Sequence, residues 1–134
     1  MSRDIHNSMA QFAFSKVSEI CKKNKEDKEN KEFRSLARSL PSWIQINGLA
    51  TAAVFLFSKK ANGNAYEKMY NILNEWFKKE WFKNEDCRIL PGDKDLVEQI
   101  VNLDSVTYRL CVNEAMNLCQ WIKRFAEGMI ESGD

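Results

Sequence analysis

Histidine is nearly absent from this chain, and most of the sites built around it are absent too. The single His among 134 residues is His6. The four cysteines, Cys21, Cys87, Cys111 and Cys119, form no CxxC pair and lie far from it in sequence. A metal site is therefore not expected. The chain has no Gly-rich phosphate loop, no HExxH and no GxSxG, so no hydrolytic, metalloprotease or nucleotide-binding signature survives. Two prolines and five glycines leave little turn material, and no stretch alternates apolar and polar residues as a strand would. The longest apolar run, residues 43–57, is closed by Lys59 and Lys60, short of the roughly 20 residues a membrane span needs. The N-terminus lacks the basic head and apolar run of a secretory signal. A reduced, cytoplasmic, cofactor-free protein outside the membrane is expected.

The positive signals are helical. One domain over residues 1–134 is expected, large enough for a real core. The stretch 40–60 is apolar most of the way round a helix and reads as a buried central helix. Pro41 would then sit in its first turn and Gly48 would let a neighbour come close. Before it, residues 2–25 carry Ile5, Met9, Phe12, Val17 and Ile20 on one face, with Ala13 and Cys21. Residues 22–32 contain no apolar side chain and read as a solvated connector or frayed helix ends. Residues 32–40 point Phe33, Leu36, Ala37 and Leu40 inward. Asn62-Gly63-Asn64 breaks the chain. A helix over 66–83 follows, with Met69, Tyr70, Leu73, Trp76 and Phe77 as its stripe. Residues 83–94 form the longest loop, and 95–103 a short helix. Asp104 or Ser105 caps the last helix, which runs to Met129 with Tyr108, Cys111, Ala115, Leu118, Ile122, Phe125 and Met129 inward. Arg109, Asn113, Asn117, Gln120 and Arg124 make its outward row. The fold expected is an all-α compact bundle of about five to six helices.

Charge is balanced overall, with 20 basic and 19 acidic side chains, but not along the chain. Residues 1–67 carry 11 basic against 7 acidic, or +4, and residues 68–134 carry 9 against 12, or −3. Such polarity suits a particle with one basic and one acidic end. Two aromatic pairs, Trp76-Phe77 and Trp81-Phe82, exceed what one helix face can bury, which makes Trp81 and Phe82 candidates for a partner contact.

Two stretches carry a resemblance. One is Lys31-Glu32-Phe33-Arg34-Ser35-Leu36-Ala37-Arg38-Ser39-Leu40-Pro41, continuing to Ile46-Asn47-Gly48-Leu49 and Phe55-Leu56. The other is Asp104-Ser105-Val106-Thr107-Tyr108-Arg109, continuing to Glu114-Ala115 and Trp121-Ile122-Lys123-Arg124-Phe125-Ala126. Together they resemble the small helical subunit of the type III-B CRISPR effector, the Cmr complex (the fifth protein of its RAMP module). The resemblance implies a non-catalytic scaffold. Copies would stack as a minor filament beside the guide-RNA-bearing backbone subunits, with a large subunit in the same complex, and line the channel where target RNA pairs with the guide. Cleavage would belong to other subunits, while base pairing reads sequence and protein reads backbone charge. Arg34, Arg38, Lys59, Lys60, Arg109, Lys123 and Arg124 are the candidates for phosphate contact. A stand-alone helical adaptor that uses its aromatic surplus on a partner protein, with no nucleic acid, stays open as the second reading.

Overall fold

Gly48 decides how the middle of this chain folds. The computed structural model describes residues 2–23, 27–80 and 95–131, with side chains for 8–22, 28–78 and 95–131. In it Gly48 has φ +93° and ψ 154°, a conformation essentially confined to glycine. The apolar stretch is therefore two helices rather than one: α2, Asp27–Asn47, and α3, Leu49–Lys59. The rings of Trp43 and Phe55 meet at 4.4 Å between centroids. In one continuous helix the same residues would stand ~18 Å apart along the axis.

Pro41 also falls elsewhere than expected, inside α2 rather than in a first turn. There it removes one i→i−4 hydrogen bond, normally a cost of ~3 kcal/mol. The helix continues because Phe33, Ala37, Leu40 and Ile44, each at most 1% exposed, form one buried stripe across it. The expected join between a 32–40 helix and a 40–60 helix is thus a run-through, and the break lies at Gly48. The stretch also reaches solvent in places. Ile46 is 79% exposed, and Val54 and Phe57 are exposed as well.

The rest follows the apolar periodicity closely. Helix α1, Ser2–Lys23, buries Met9, Phe12, Ala13, Val17 and Ile20. The 22–32 run lies mostly in helix, since α1 ends at Lys23 and α2 begins at Asp27. Asn64 caps α4, Ala65–Glu75, by accepting from the Glu67 N–H at 2.9 Å. Glu67 reaches back to accept from the Gly63 N–H at 2.7 Å, a reciprocal pair that satisfies two otherwise unpaired donors. After Glu75 the helix widens into a π-helical turn, Trp76–Glu80. Trp76 and Phe77 are both buried, continuing the stripe of Met69, Tyr70 and Leu73. These two aromatics are core, so no surplus is left over from them. Helix α5, Leu96–Ile100, and α6, Ser105–Met129, complete the chain, and no strand occurs among the described residues.

Helix α6 packs along both α1 and α2, while α4 packs on α2 and α3, and α5 on α3. Helices α1 and α6 run parallel: Phe14 meets Phe125, and one turn on Ser18 meets Met129. Buried residues from all six helices join one hydrophobic cluster, whose removal from water is the main stabilising term.

Candidate nucleic-acid and partner surface

Helix α6 positions the candidate surface. Asp104 caps it, its carboxylate accepting from the Thr107 N–H at 2.8 Å. That bond and a second from the Thr107 hydroxyl hold the Asp104 carboxyl below the usual carboxylate range. Arg109, Asn113, Asn117, Gln120 and Arg124 are all exposed, as their spacing predicts, and they fall within an ~80° arc of the helix. Arg109 and Arg124 stand ~22 Å apart along it.

The other basic candidates are less uniform. Arg38 and Lys59 are exposed, whereas Arg34, Lys60 and Lys123 are half-buried. Arg34 and Arg38 therefore do not present equal outward faces: the Arg34 Nε is buried without a hydrogen-bond partner. Lys60 Nζ lies 4.7 Å from the Phe57 ring centroid and 5.5 Å from that of Tyr70, and Lys59 Nζ lies 5.8 Å from that of Phe55. The two lysines are thus drawn onto aromatic faces at the far end of α3 from Arg109, ~15 Å along that helix. Among the described residues the ion pairs are Lys16–Glu75 at 2.9 Å, Lys68–Glu29 at 3.6 Å and Lys78–Asp95 at 3.6 Å. None of the seven candidates takes part in them. Trp81, Phe82, Cys87 and the 83–94 loop lie outside the described residues.

Four hydrogen bonds brace the helices around this surface, and sequence periodicity alone did not reveal them. The Ala50 N–H donates to the Tyr108 hydroxyl at 2.9 Å, which caps α3 from α6 because Gly48 has no side chain to do it. The Trp76 indole N–H donates to the Glu114 carboxylate at 2.7 Å, joining α4's end to the middle of α6. Burial raises the Glu114 carboxyl, and the indole hydrogen bond partly lowers it again. Tyr70 donates to Asp95 at 3.3 Å and accepts from the Val97 N–H at 3.2 Å. Burial is the main cause that pushes the Tyr70 hydroxyl up to about 12.

Cys111 and Cys119 behave as small apolar groups. Cys111 and Cys119 are buried, and desolvation pushes both thiols up to about 12, with the Glu114 charge adding to the effect at Cys111. Thiolates are the reactive species. Iodoacetamide at neutral pH is accordingly expected to leave Cys111 and Cys119 unmodified in the folded chain and to alkylate both after unfolding. Peptide mass mapping reads this directly, and rapid labelling of either in native protein would contradict their burial. Among the described residues no three His, Cys, Asp or Glu side chains are grouped to hold a metal ion, and no helix is long and apolar enough to cross a membrane.

The family model described as CRISPR-associated protein (Cas_Cmr5) matches residues 5–129. A crystal structure of a CRISPR-associated Cmr5 family protein from Thermus thermophilus matches with a TM-score of 0.70 at 25% identity. That match covers 93% of this chain and 99% of the other. The chain belongs to the Cmr5 family of CRISPR-associated proteins, the type III-B subunit family that its two family-like stretches resemble.

Proposed function

We propose that this chain is a non-catalytic scaffold subunit of a type III-B effector, acting in the cytoplasm in antiviral defence. Copies stack as a minor filament beside the backbone subunits, with the large subunit in the same complex, and line the channel taken by target RNA. The observation that carries this reading is the family match over residues 5–129 joined to a basic set, Arg34, Arg38, Lys59, Lys60, Arg109, Lys123 and Arg124, that makes no ion pair among the described residues. Cationic side chains on rigid helices suffice for sequence-independent phosphate contact. The adaptor reading loses half its motive, because Trp76 and Phe77 are core rather than surplus.

The test replaces Arg34, Arg38, Arg109 and Arg124 together with Ala in a reconstituted complex. The expected result is normal assembly with weaker target-RNA binding at every sequence. The log–log salt slope is expected to shrink by about 0.7 for each lost contact to a single strand. Unchanged affinity and slope would remove RNA from this face and leave the subunit a spacer between protein neighbours.

A further inference from the structure

On α6 the residues Asn117, Gln120, Trp121 and Arg124 share one face and together line a shallow cavity of about 240 Å³. At ~30 Å³ per water molecule that is the room of roughly eight waters, comparable with one heteroaromatic base. We propose that this cavity takes a single unpaired nucleobase of an RNA strand, stacked on the Trp121 indole with a neighbouring phosphate on Arg124. The proposal rests on the RNA-channel reading and deepens it: the strand would be held by one base as well as by its backbone.

Three observations point to this occupant. The first is that the indole is braced before any ligand arrives. Trp121 stacks on Phe125 at 5.9 Å and 19°, and Phe125 is itself held edge-on by Phe14 at 5.5 Å and 78°. A ring fixed in this way loses little freedom on binding, which favours affinity. The second is the chemistry of the rim. Arg124 is exposed and makes no ion pair among the described residues, and no carboxylate lines the cavity. An anionic strand is therefore welcome beside the ring. The third is the pair of exposed amides, Asn117 and Gln120. Each offers both donors and an acceptor, so either can meet the edge of any base, and the site would tolerate sequence. A docked protein helix would instead need a long apolar groove to seat its own row of apolar anchors. This cavity has one aromatic wall set among polar neighbours.

The experiment uses the reconstituted complex and target RNAs in which one nucleotide at a time is made abasic, so that charge is kept and the ring removed. With the wild-type subunit, at least one abasic position is expected to weaken binding about tenfold, the scale of one base–aromatic stack. Trp121→Ala is expected to bind intact RNA as weakly as wild type binds that abasic RNA, and to be insensitive to the same position. Trp121→Phe keeps a stacking face and is expected to restore most of the difference, which separates loss of the stack from loss of folding. None of the Trp121 variants removes a charge, so the salt slope stays put, whereas Arg124→Ala lowers it. If no abasic position matters to wild type, the inference is wrong. It is also wrong if Trp121→Ala blocks entry into the complex in the absence of RNA, because the cavity then belongs to a protein neighbour. A fourfold arginine variant with an unchanged slope would instead overturn the RNA-channel reading itself. A reduced slope without base sensitivity would overturn this inference alone.

Discussion

Trp76→Ala is expected to cost about 3–5 kcal/mol, the usual range for deleting a buried large aromatic. Against a total stability of roughly 5–15 kcal/mol for a domain, that is a large fraction. Trp76 is 2% exposed and the largest of the fully buried side chains. Its ring packs on Phe12 of α1 at 5.1 Å, and its N–H holds Glu114 of α6. One side chain thus ties the end of α4 to two other helices. Truncation leaves a cavity among three elements and a half-buried carboxylate without this donor, and each adds to the loss. Chemical denaturation followed by circular dichroism reads the change. A cost below about 1 kcal/mol would show that the neighbours collapse into the space.

The two contributions to that cost separate with pH. Trp76→Phe keeps most of the volume and removes the indole donor, for an expected cost of about 1–3 kcal/mol. Burial raises the Glu114 carboxyl above its ordinary value. A folded-state value above the unfolded one means that the native chain holds this proton more tightly. The stabilising contribution is full below the unfolded value and is lost as pH rises through the folded one. Without the indole, which lowers the carboxyl, the folded value rises further and the loss extends to higher pH. The gap between Trp76→Phe and wild type is therefore expected to widen from mildly acidic toward neutral pH. In a Glu114→Gln background, which does not titrate, it is expected to be flat. A gap independent of pH in the Glu114 background would mean that the indole does not serve an ionised carboxylate.

How much of this was readable in the residues depends on where each answer is stored. Helix α6 was legible from cap to end, because Asp104 and a 3–4 seam are local signals: Cys111, Ala115, Leu118 and Ile122 are buried as that seam predicts, while Tyr108, Phe125 and Met129 stay half-buried and Cys119 and Ala126 are buried beside it. Phe33, Ala37 and Leu40 of α2 were legible for the same reason, whereas Leu36, also expected inward, is half-buried and Ile44 completes the stripe. The boundary between them and α3 was not. Proline before an apolar run resembles a helix start, and glycine inside one resembles a close approach. Only the meeting of Trp43 with Phe55 and of Tyr108 with Ala50 shows that the chain turns at Gly48. The same limit applies to the candidate surface. Spacing placed Arg109 and Arg124 outward correctly, but it could not tell that Arg34 sinks its Nε or that Lys60 folds onto Phe57 and Tyr70. Side-chain length lets a charge choose among tertiary neighbours, and helical period carries no record of that choice.

Gly48→Ala is expected to destabilise the fold by about 1–3 kcal/mol from backbone strain alone. Overpacking inside one continuous helix would act in the same direction, yet the physical cause in this structure is different. At φ +93° an L side chain has no comfortable conformation. An added Cβ would also stand 3.1 Å from the Tyr108 hydroxyl, the group that accepts from the Ala50 N–H and caps α3. Moving that hydroxyl by a few tenths of an ångström weakens a cap normally worth about 0.5–2 kcal/mol. Strain and cap can be told apart with Tyr108→Phe, which removes the hydroxyl and the contact together. The double variant is expected to cost less than the sum of the singles, because the hydroxyl that the Cβ strikes is gone while the strain remains. Such coupling is the signature of neighbours that share one space. Thermal melts of the four proteins give the cycle. Strict additivity would remove the Tyr108 contact from the account, and a higher melting temperature for Gly48→Ala would mean that α2 and α3 join as a continuous helix after all.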